Sequence, residues 1–171
     1  VVEMQSLVDD LLYLARAGAQ AEQMGTATVD LDDIVLREAD RVRREGRLHI
    51  DVSGVGAVAV TGHAGRLARA VRNLVVNAER YARTSIRLTL QEADGYAVFT
   101  IADDGPGVPA AMQERVFERF GRADDARSTG TGGVGLGLSI VRDIVAAHGA
   151  TVPADPDRAG GSFTVRLPLN R

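Results

Sequence analysis

The sequence predicts an α/β domain that follows a short amphipathic helix. Three observations support this fold class. Segments with helical spacing of apolar residues alternate with short strand-like segments, 45% of the residues are apolar, and 171 residues suit one domain with an appendage. Only 4% of the residues are aromatic, so Val, Leu, Ile and Ala must build the core.

Residues 1–19 predict a helix with a wide apolar face. Apolar side chains recur at three- and four-residue spacing at Val1, Met4, Val8, Leu11 and Ala15. This face favours packing in a bundle with another chain or with a segment outside this sequence. Packing on the chain's own domain is the alternative. Residues 20–27 predict a linker, and residues 28–171 form the predicted main domain.

The first half of the main domain predicts a helix, two strands and a second helix. The helix "DLDDIVLREADRVRRE" has Asp30 or Asp32 as its N-cap candidate. The segments "LHIDVSG" and "GAVAVTG" are bounded by glycine and predict short strands. The long helix is "HAGRLARAVRNLVVNAERYA", and its predicted buried face consists of Leu67, Ala70, Val71, Leu74 and Ala78.

The second half predicts a hairpin, a short helix, a loop, a helix and two strands. Alternation and an Ala-Asp-Gly turn make "SIRLTLQEADGYAVFTIADDG" a hairpin. A short helix is expected in "VPAAMQERVFERF", after Pro109, and a loop in the polar "GRADDARSTGTGG". The segment "VGLGLSIVRDIVAAHG" predicts a helix that Gly149 ends, and "ATVPAD" and "GGSFTVRLPL" predict the last two strands.

Composition excludes several function classes. All 20 basic residues are arginine, which argues against a Walker P-loop, a Ser/Thr/Tyr protein kinase and Schiff-base chemistry, since each needs a lysine. The absence of cysteine excludes disulfides and thiolate zinc sites, and it fits a reducing compartment. A net charge of -3 argues against a nucleic-acid partner, and no apolar run reaches the ~18 residues of a membrane span.

Two glycine clusters suggest a phosphate site. One is "TGTGGVGLGLSIV" at 129–141, which is either a flexible linker or a phosphate-binding loop that leads into a helix N-terminus. It contains G-x-G-x-x-G, but no predicted strand precedes it, so a dinucleotide fold is set aside. The other is "IADDGPGVP", in which Asp103, Gly105 and Gly107 follow a strand. Upstream, Asn73 and Asn77 share one helical face, and amide oxygens can hold Mg²⁺.

These stretches together resemble the catalytic, ATP-binding domain of sensor histidine kinases. The family's boxes occur in order: "RNLVVNAERYA", "DDGPGV", "VFERF", "GGVGLGLSIV" and the terminal "GGSFTVRLP". The resemblance covers residues 26–168. It implies a two-layer sandwich of a mixed β-sheet packed on about three helices, preceded by a helical stub from a dimerisation helix bundle, which "LVDDLLYLARA" resembles.

The resemblance also implies roles for individual residues with ATP and Mg²⁺ as ligands. Asp103 would accept a hydrogen bond from the adenine amino group, Tyr81 would flank the base, and Asn77 would hold Mg²⁺ with Asn73 assisting. Arginines would reach the phosphates: Arg80, Arg122 and Arg127. Phe117 and Phe120 would anchor a lid. The backbone of the two glycine boxes would contact nucleotide, at Gly105, Gly107, Gly133, Val134, Gly135, Leu136 and Gly137.

The implied activity is transfer of the γ-phosphoryl group of ATP to a histidine, and then to a response regulator. None of the histidines, His49, His63 and His148, lies in the family's acceptor motif, so the acceptor is expected upstream, on the dimerisation bundle. The expected setting is the cytoplasmic domain of a membrane-anchored protein, with no direct membrane contact within this sequence.

Three other functions remain open at this point. An ATPase related to gyrase, mismatch-repair proteins or a heat-shock chaperone would carry a glutamate base where this chain has Asn73. An anti-sigma serine kinase shares the fold, but the bundle helix fits it less well. A scaffold that binds ATP without catalysis, or binds nothing, is opposed by the intact boxes.

Overall fold

The computed structural model describes residues 27–113, 115–119, 136–152 and 160–169, together with the helical positions Val8 and Leu12. Within these residues the strands are β1 (Ala27–Asp30), β2 (His49–Val55), β3 (Ala59–Gly62), β4 (Ser85–Ala93), β5 (Tyr96–Asp103) and β6 (Ser162–Pro168). The helices are α1 (Leu31–Glu45), α2 (Ala64–Tyr81) and α3 (Gly137–Ala147).

A mixed four-stranded sheet forms one layer, and the three helices form the other. The strand order is β2-β4-β5-β6, in which β2 runs parallel to β4 and the other neighbours are antiparallel. Strands β1 and β3 form a separate antiparallel pair. This arrangement confirms the predicted sandwich of a mixed sheet on three helices.

The core lies between the two layers. Leu88 pairs with Ile101, Ile101 pairs with Phe163, and all three are buried. Since side chains alternate along each strand and paired residues lie on the same face, these three share the face that packs in the core. The predicted buried face of α2 is confirmed at every position, and Val75 joins it. The hairpin of β4 and β5 is also confirmed, with Asp94 and Gly95 at its turn in positive φ.

Two histidines tie the start of α2 to the end of α3. His63 is the N-cap of α2, and its Nδ1 accepts a hydrogen bond from the backbone amide of Arg66 at 3.2 Å. The amide of His63 donates to Nε2 of His148 at 3.2 Å, and Nδ1 of His148 lies 2.8 Å from the Ile144 carbonyl oxygen. A Cβ on Gly62 would lie only 2.7 Å from Cδ2 of His148, so glycine is needed at this close approach.

Four local predictions need correction or refinement. Asp30 is the N-cap position of α1, but its side chain makes no capping hydrogen bond. The predicted helix in "VPAAMQERVFERF" is wrong: two 3-10 turns, Ala110–Met112 and Arg115–Phe117, occupy its described residues. Strand β1 was not predicted. In the described part of "ATVPAD", pairing is limited to an isolated bridge from Thr151 to β6.

Tertiary contacts explain these differences. Phe117 is buried and packs edge-on against Phe163, at 5.7 Å between ring centroids, which fixes its segment as a turn. The four residues of β1 give too weak a local pattern to identify a strand, and their pairing with β3 brings together positions about 30 residues apart.

Candidate functional site

The end of β5 carries a buried carboxylate. Asp103 is 8% exposed, and it pairs with Ile86 on the face of the sheet that the helices cover. Its Oδ1 accepts hydrogen bonds from the backbone amides of Gly105 at 2.8 Å and Gly161 at 3.3 Å. A carboxylate inside a fold is costly without such donors, so these amides hold it in place.

The electrostatic state of Asp103 follows from that position. Burial raises the pKa of Asp103, because it disfavours the charged form, and the amides of Gly105 and Gly161 partly offset this rise. The neighbouring charge of Asp104 raises the pKa of Asp103 further. An added hydrogen-bond donor would therefore stabilise the charged form of Asp103.

Glycines pack closely around Asp103. A Cβ on Gly105 would overlap the Tyr81 carbonyl oxygen and lie 2.6 Å from Oδ1 of Asp103. A Cβ on Gly161 would overlap Oδ2 of the same carboxylate. Gly107 has a φ of +79°, and a Cβ there would lie 3.0 Å from the Gly160 carbonyl oxygen. A side chain at any of these three positions would collide with the Asp103 carboxylate or with neighbouring backbone, so glycine is needed for this close packing.

Helix α2 runs from the start of α3 to this carboxylate. Nδ2 of Asn73 donates to the Gly137 carbonyl oxygen at 3.3 Å, and the last residue of α2, Tyr81, contacts Gly105 through its carbonyl. The helical rise separates these two points by about 12 Å. Asn77 and Arg80 lie between them on the helix and are half-buried, and the Tyr81 side chain is exposed. The structure thus joins the two predicted glycine boxes through α2.

The start of α3 is held by its own polar contacts. The hydroxyl of Ser139 donates to the Leu136 carbonyl oxygen at 2.8 Å, and the Ile140 amide donates to the same oxygen at 3.0 Å. Leu136 packs with Ala70, Ile140 and Ile144 between α2 and α3. Its side chain, like that of Phe117, belongs to the core.

Six predicted site residues lie outside the described residues. They are Phe120, Arg122, Arg127, Gly133, Val134 and Gly135. Their assigned roles stay predictions.

The described residues fit an adenine nucleotide better than an independently bound metal. The buried carboxylate of Asp103 is a hydrogen-bond acceptor, which suits the amino group of a purine base. No group of three His, Cys, Asp or Glu residues that could hold a metal ion occurs in the described part of the chain. Mg²⁺ commonly takes one or two protein ligands and completes its shell with phosphate oxygens and water, so the amide oxygen of Asn77 fits that use.

Comparison with known proteins assigns the family. The model of the family described as "Histidine kinase-, DNA gyrase B-, and HSP90-like ATPase" matches residues 62–171. The chain belongs to this family. It is 39% identical, over 98% of its length and 33% of the relative, to the signal transduction histidine-protein kinase/phosphatase MprB of Mycobacterium sp. (strain KMS). The histidine-kinase resemblance of the motifs is confirmed, and the chain carries the ATP-binding catalytic domain of a histidine kinase.

Solved structures of histidine kinases share the fold. The mycobacterial sensor histidine kinase MprB superposes with a TM-score of 0.75 at 32% identity, covering 84% of this chain and 97% of that one. Full-length ShkA in complex with AMPPNP gives 0.80 at 30% identity, covering 96% of this chain and 35% of that one. The chain spans about a third of the length of the curated relatives it matches.

Sequence reasoning missed part of this histidine-kinase site. Gly160 and Gly161 frame Asp103 from the start of β6, and Asp104 binds the backbone after α2. Both the "DD" pair and the "GG" pair are apparent in the sequence. Their hydrogen bonds, however, join residues that are about 20 and 58 positions apart. Among the described helices, none is long and apolar enough to cross a membrane.

Proposed function

We propose that this domain binds ATP with Mg²⁺ between α2, the end of β5 and the start of α3, and transfers the γ-phosphoryl group to a histidine outside this chain. The phosphoryl group then passes to an aspartate of a response regulator. The observation that carries the proposal is the buried carboxylate of Asp103, framed by Gly105 and Gly161. The relative ShkA binds AMPPNP, an ATP analogue, which supports the choice of nucleotide.

The two ends of the nucleotide have different partners in this proposal. Asp103 accepts the hydrogen bond of the adenine amino group, and Tyr81 flanks the base. The phosphates lie towards the start of α3, where helix amides and the Gly133–Gly137 segment favour negative charge. Arg80 on α2 contacts the phosphates, and Arg122 and Arg127 of residues 121–132 help to neutralise the phosphate charge.

The residue that would hold the metal lies near the C-terminal end of α2. Asn77 would bind Mg²⁺ through its amide oxygen, and the bound ion would supply positive charge to the phosphates. Asn73 assists by holding the start of α3 through its hydrogen bond to Gly137. Its amide cannot act as a base for water, so slow hydrolysis is expected and a superfamily ATPase is disfavoured.

The transfer itself requires alignment more than covalent chemistry. A ring nitrogen of the acceptor histidine attacks the γ-phosphorus as the bond to the bridging oxygen breaks, and ADP leaves with that electron pair. Within this chain, His63 and His148 use their ring nitrogens to hold backbone groups at the junction of α2 and α3. The acceptor therefore belongs to a dimerisation helix bundle, whose end we assign to residues 1–19, with 20–27 as linker and 28–171 as catalytic domain.

The cellular setting is part of the same proposal. ATP and a response regulator are cytoplasmic partners, so the domain works in the cytoplasm as part of a membrane-anchored sensor. Its own contacts are with the bundle and the regulator, and involve neither nucleic acid nor the membrane directly.

Titration calorimetry with ATP and GTP tests the nucleotide assignment. Asp103→Asn should weaken ATP binding about tenfold or more, because a charge-assisted hydrogen bond contributes roughly 1.5–3 kcal/mol. The matched control is Asp94→Asn in the exposed hairpin turn, where asparagine tolerates the positive φ of 52°. Equal ATP affinity in the wild type and Asp103→Asn, or no preference for ATP over GTP, would contradict the proposal.

A further inference from the structure

The carboxylate of Asp104 binds the loop that follows α2. Its Oδ1 accepts hydrogen bonds from the backbone amides of Arg83 at 2.8 Å, Thr84 at 3.1 Å and Ser85 at 3.2 Å. Its Oδ2 accepts from the amide of Thr84 at 3.0 Å and from the Thr84 hydroxyl. Three successive amides and a hydroxyl thus converge on one side chain, which makes this contact a clamp on the α2–β4 connection.

The clamp is reinforced by backbone contacts on both sides. The amide of Asp104 donates to the Ser85 carbonyl oxygen at 3.3 Å, and the Thr84 carbonyl oxygen accepts from the His49 amide at 2.8 Å. The hydrogen bonds from Thr84 keep the pKa of Asp104 well below its usual range, so the carboxylate is charged at physiological pH. Asp104 is therefore a permanent acceptor at this place.

The same connection leads directly into the nucleotide site. Asp104 lies between Asp103 and Gly105 in sequence, and the loop it binds begins just after Tyr81. The Tyr81 carbonyl oxygen lies so close to Gly105 that a Cβ there would overlap it. Asp103 in turn is bound to the Gly105 amide. The Asp104 contacts thus connect the segment after α2 to the turn that holds Asp103.

We propose that Asp104 is a positioning residue for nucleotide binding, which holds the end of α2 against the Asp103–Gly105 turn so that both contact one nucleotide. The inference rests on the proposed ATP site. Asp104 itself does not touch the nucleotide, because its carboxylate is occupied by Arg83, Thr84 and Ser85.

Electrostatics and positioning predict opposite signs for removal of this side chain. The ligand is an anion, and loss of a nearby negative charge would by itself tighten its binding. Loss of the clamp would instead weaken binding, because α2 and Asp103 no longer hold the spacing that the nucleotide needs. The direction of the change in affinity therefore separates the two effects.

The test is the dissociation constant for ATP with Mg²⁺, measured by titration calorimetry at a temperature where circular dichroism shows each variant folded. Asp104→Ala should raise it at least about tenfold, and Asp104→Asn by about threefold, because the amide keeps one acceptor oxygen for the three backbone donors. The matched control is Asp51→Ala. Asp51 also accepts a backbone amide, from Ser53, and pairs with Arg87, but it lies on β2 away from the site, so a change below twofold is expected.

Each outcome decides the inference. An unchanged or tighter dissociation constant in Asp104→Ala, or an equal loss in Asp51→Ala, would overturn it. If Asp104→Ala does not fold, Asp104→Asn decides, and a change below twofold there overturns the inference. A wild-type chain that binds no ATP contradicts the proposed function instead, so the two failures are distinguishable.

Discussion

At the scale of single residues, Asp103 places function and stability in opposition. Its carboxylate is buried, and burial disfavours the charge that the proposed contact with adenine needs. Two backbone amides compensate only part of that cost. A nucleotide that brings a further donor would relieve it, which is a physical reason for a charged residue at this place.

We expect Asp103→Asn to separate stability from affinity. A carboxyl group whose folded-state pKa is raised stabilises the fold most below its unfolded pKa, and that contribution is lost as pH rises through the folded pKa. Asparagine does not titrate, so at pH 7 the variant should be at least as stable as the wild type while binding ATP more weakly. Urea unfolding at several pH values between 4 and 7 measures this.

The informative quantity is the difference in unfolding free energy between the wild type and Asp103→Asn. The unfolding free energy of the wild type should fall relative to that of Asp103→Asn as pH rises from 4 towards 7. The Asp94→Asn protein serves as a control for loss of one carboxylate at an exposed turn. A variant clearly less stable than the wild type at pH 7 would show that the charge of Asp103 stabilises the fold, against expectation.

Some of these residues could be identified from sequence because their signal is local. Asp103, Gly105 and Gly107 form one short motif, and Asn73 and Asn77 share a helical face by spacing alone. The contributions of Gly161 and Asp104 depend on contacts with distant backbone. No local pattern encodes which backbone amide contacts a carboxylate across the fold, so the sequence alone does not predict these roles.

At the scale of elements, Arg41 joins α1 to α2. Its guanidinium contacts Glu38 at 2.8 Å and Glu45 at 2.9 Å on its own helix, and Glu79 of α2 at 2.6 Å. Desolvation by burial opposes the charge, but hydrogen bonds from the guanidinium to Glu79 and Glu38 outweigh it and raise the pKa of Arg41. Arg41 therefore contacts three carboxylates where α1 packs against α2.

Arg41→Ala should destabilise the domain by about 1–3 kcal/mol, because Glu79 would be left partly buried without Arg41 and Glu38 would keep only its longer contact with Arg72, at 3.4 Å. Arg43→Ala is the matched control on the same helix. Arg43 pairs with Asp40 at 3.0 Å with both side chains largely exposed, so its loss should cost below about 0.5 kcal/mol. Urea unfolding measures the loss of unfolding free energy in both variants. Similar losses would show that burial of the Arg41 ion pairs does not contribute to stability.

Element prediction succeeded where a repeated pattern fixed the period. Alternation over β4 and β5 and the apolar stripe of α2 each extend over eight or more residues. It failed where tertiary contact decides: β1 exists through pairing with β3, and the Phe117 segment turns because its ring packs against Phe163. Within α1, the Arg41–Glu45 pair follows from helical spacing, whereas the contact with Glu79 does not.

At the scale of the whole molecule, each of the three histidines has a defined place in the fold. His63 caps α2, and His148 contacts the His63 amide and the Ile144 carbonyl. His49 is exposed on β2, in a strand whose register with β4 fixes its position. A phosphoryl transfer requires the acceptor nitrogen within about 3–3.5 Å of the γ-phosphorus, in line with the bond that breaks. We expect that none of these three positions, in the sheet or at helix ends, offers that approach.

The chain alone should therefore bind ATP with Mg²⁺ and yet not phosphorylate itself. After incubation with γ-labelled ATP, we expect no acid-labile label on the protein above the level of Asp103→Asn, which lacks the base contact. Adding a separate polypeptide that carries a histidine-bearing dimerisation bundle should give weak labelling of that polypeptide, because the high effective concentration of a tethered acceptor is absent. Strong acid-labile labelling of this chain by itself would place an acceptor within it. His63→Gln and His148→Gln, followed by His49→Gln, would then identify which imidazole reacts, since loss of label in one variant assigns the site.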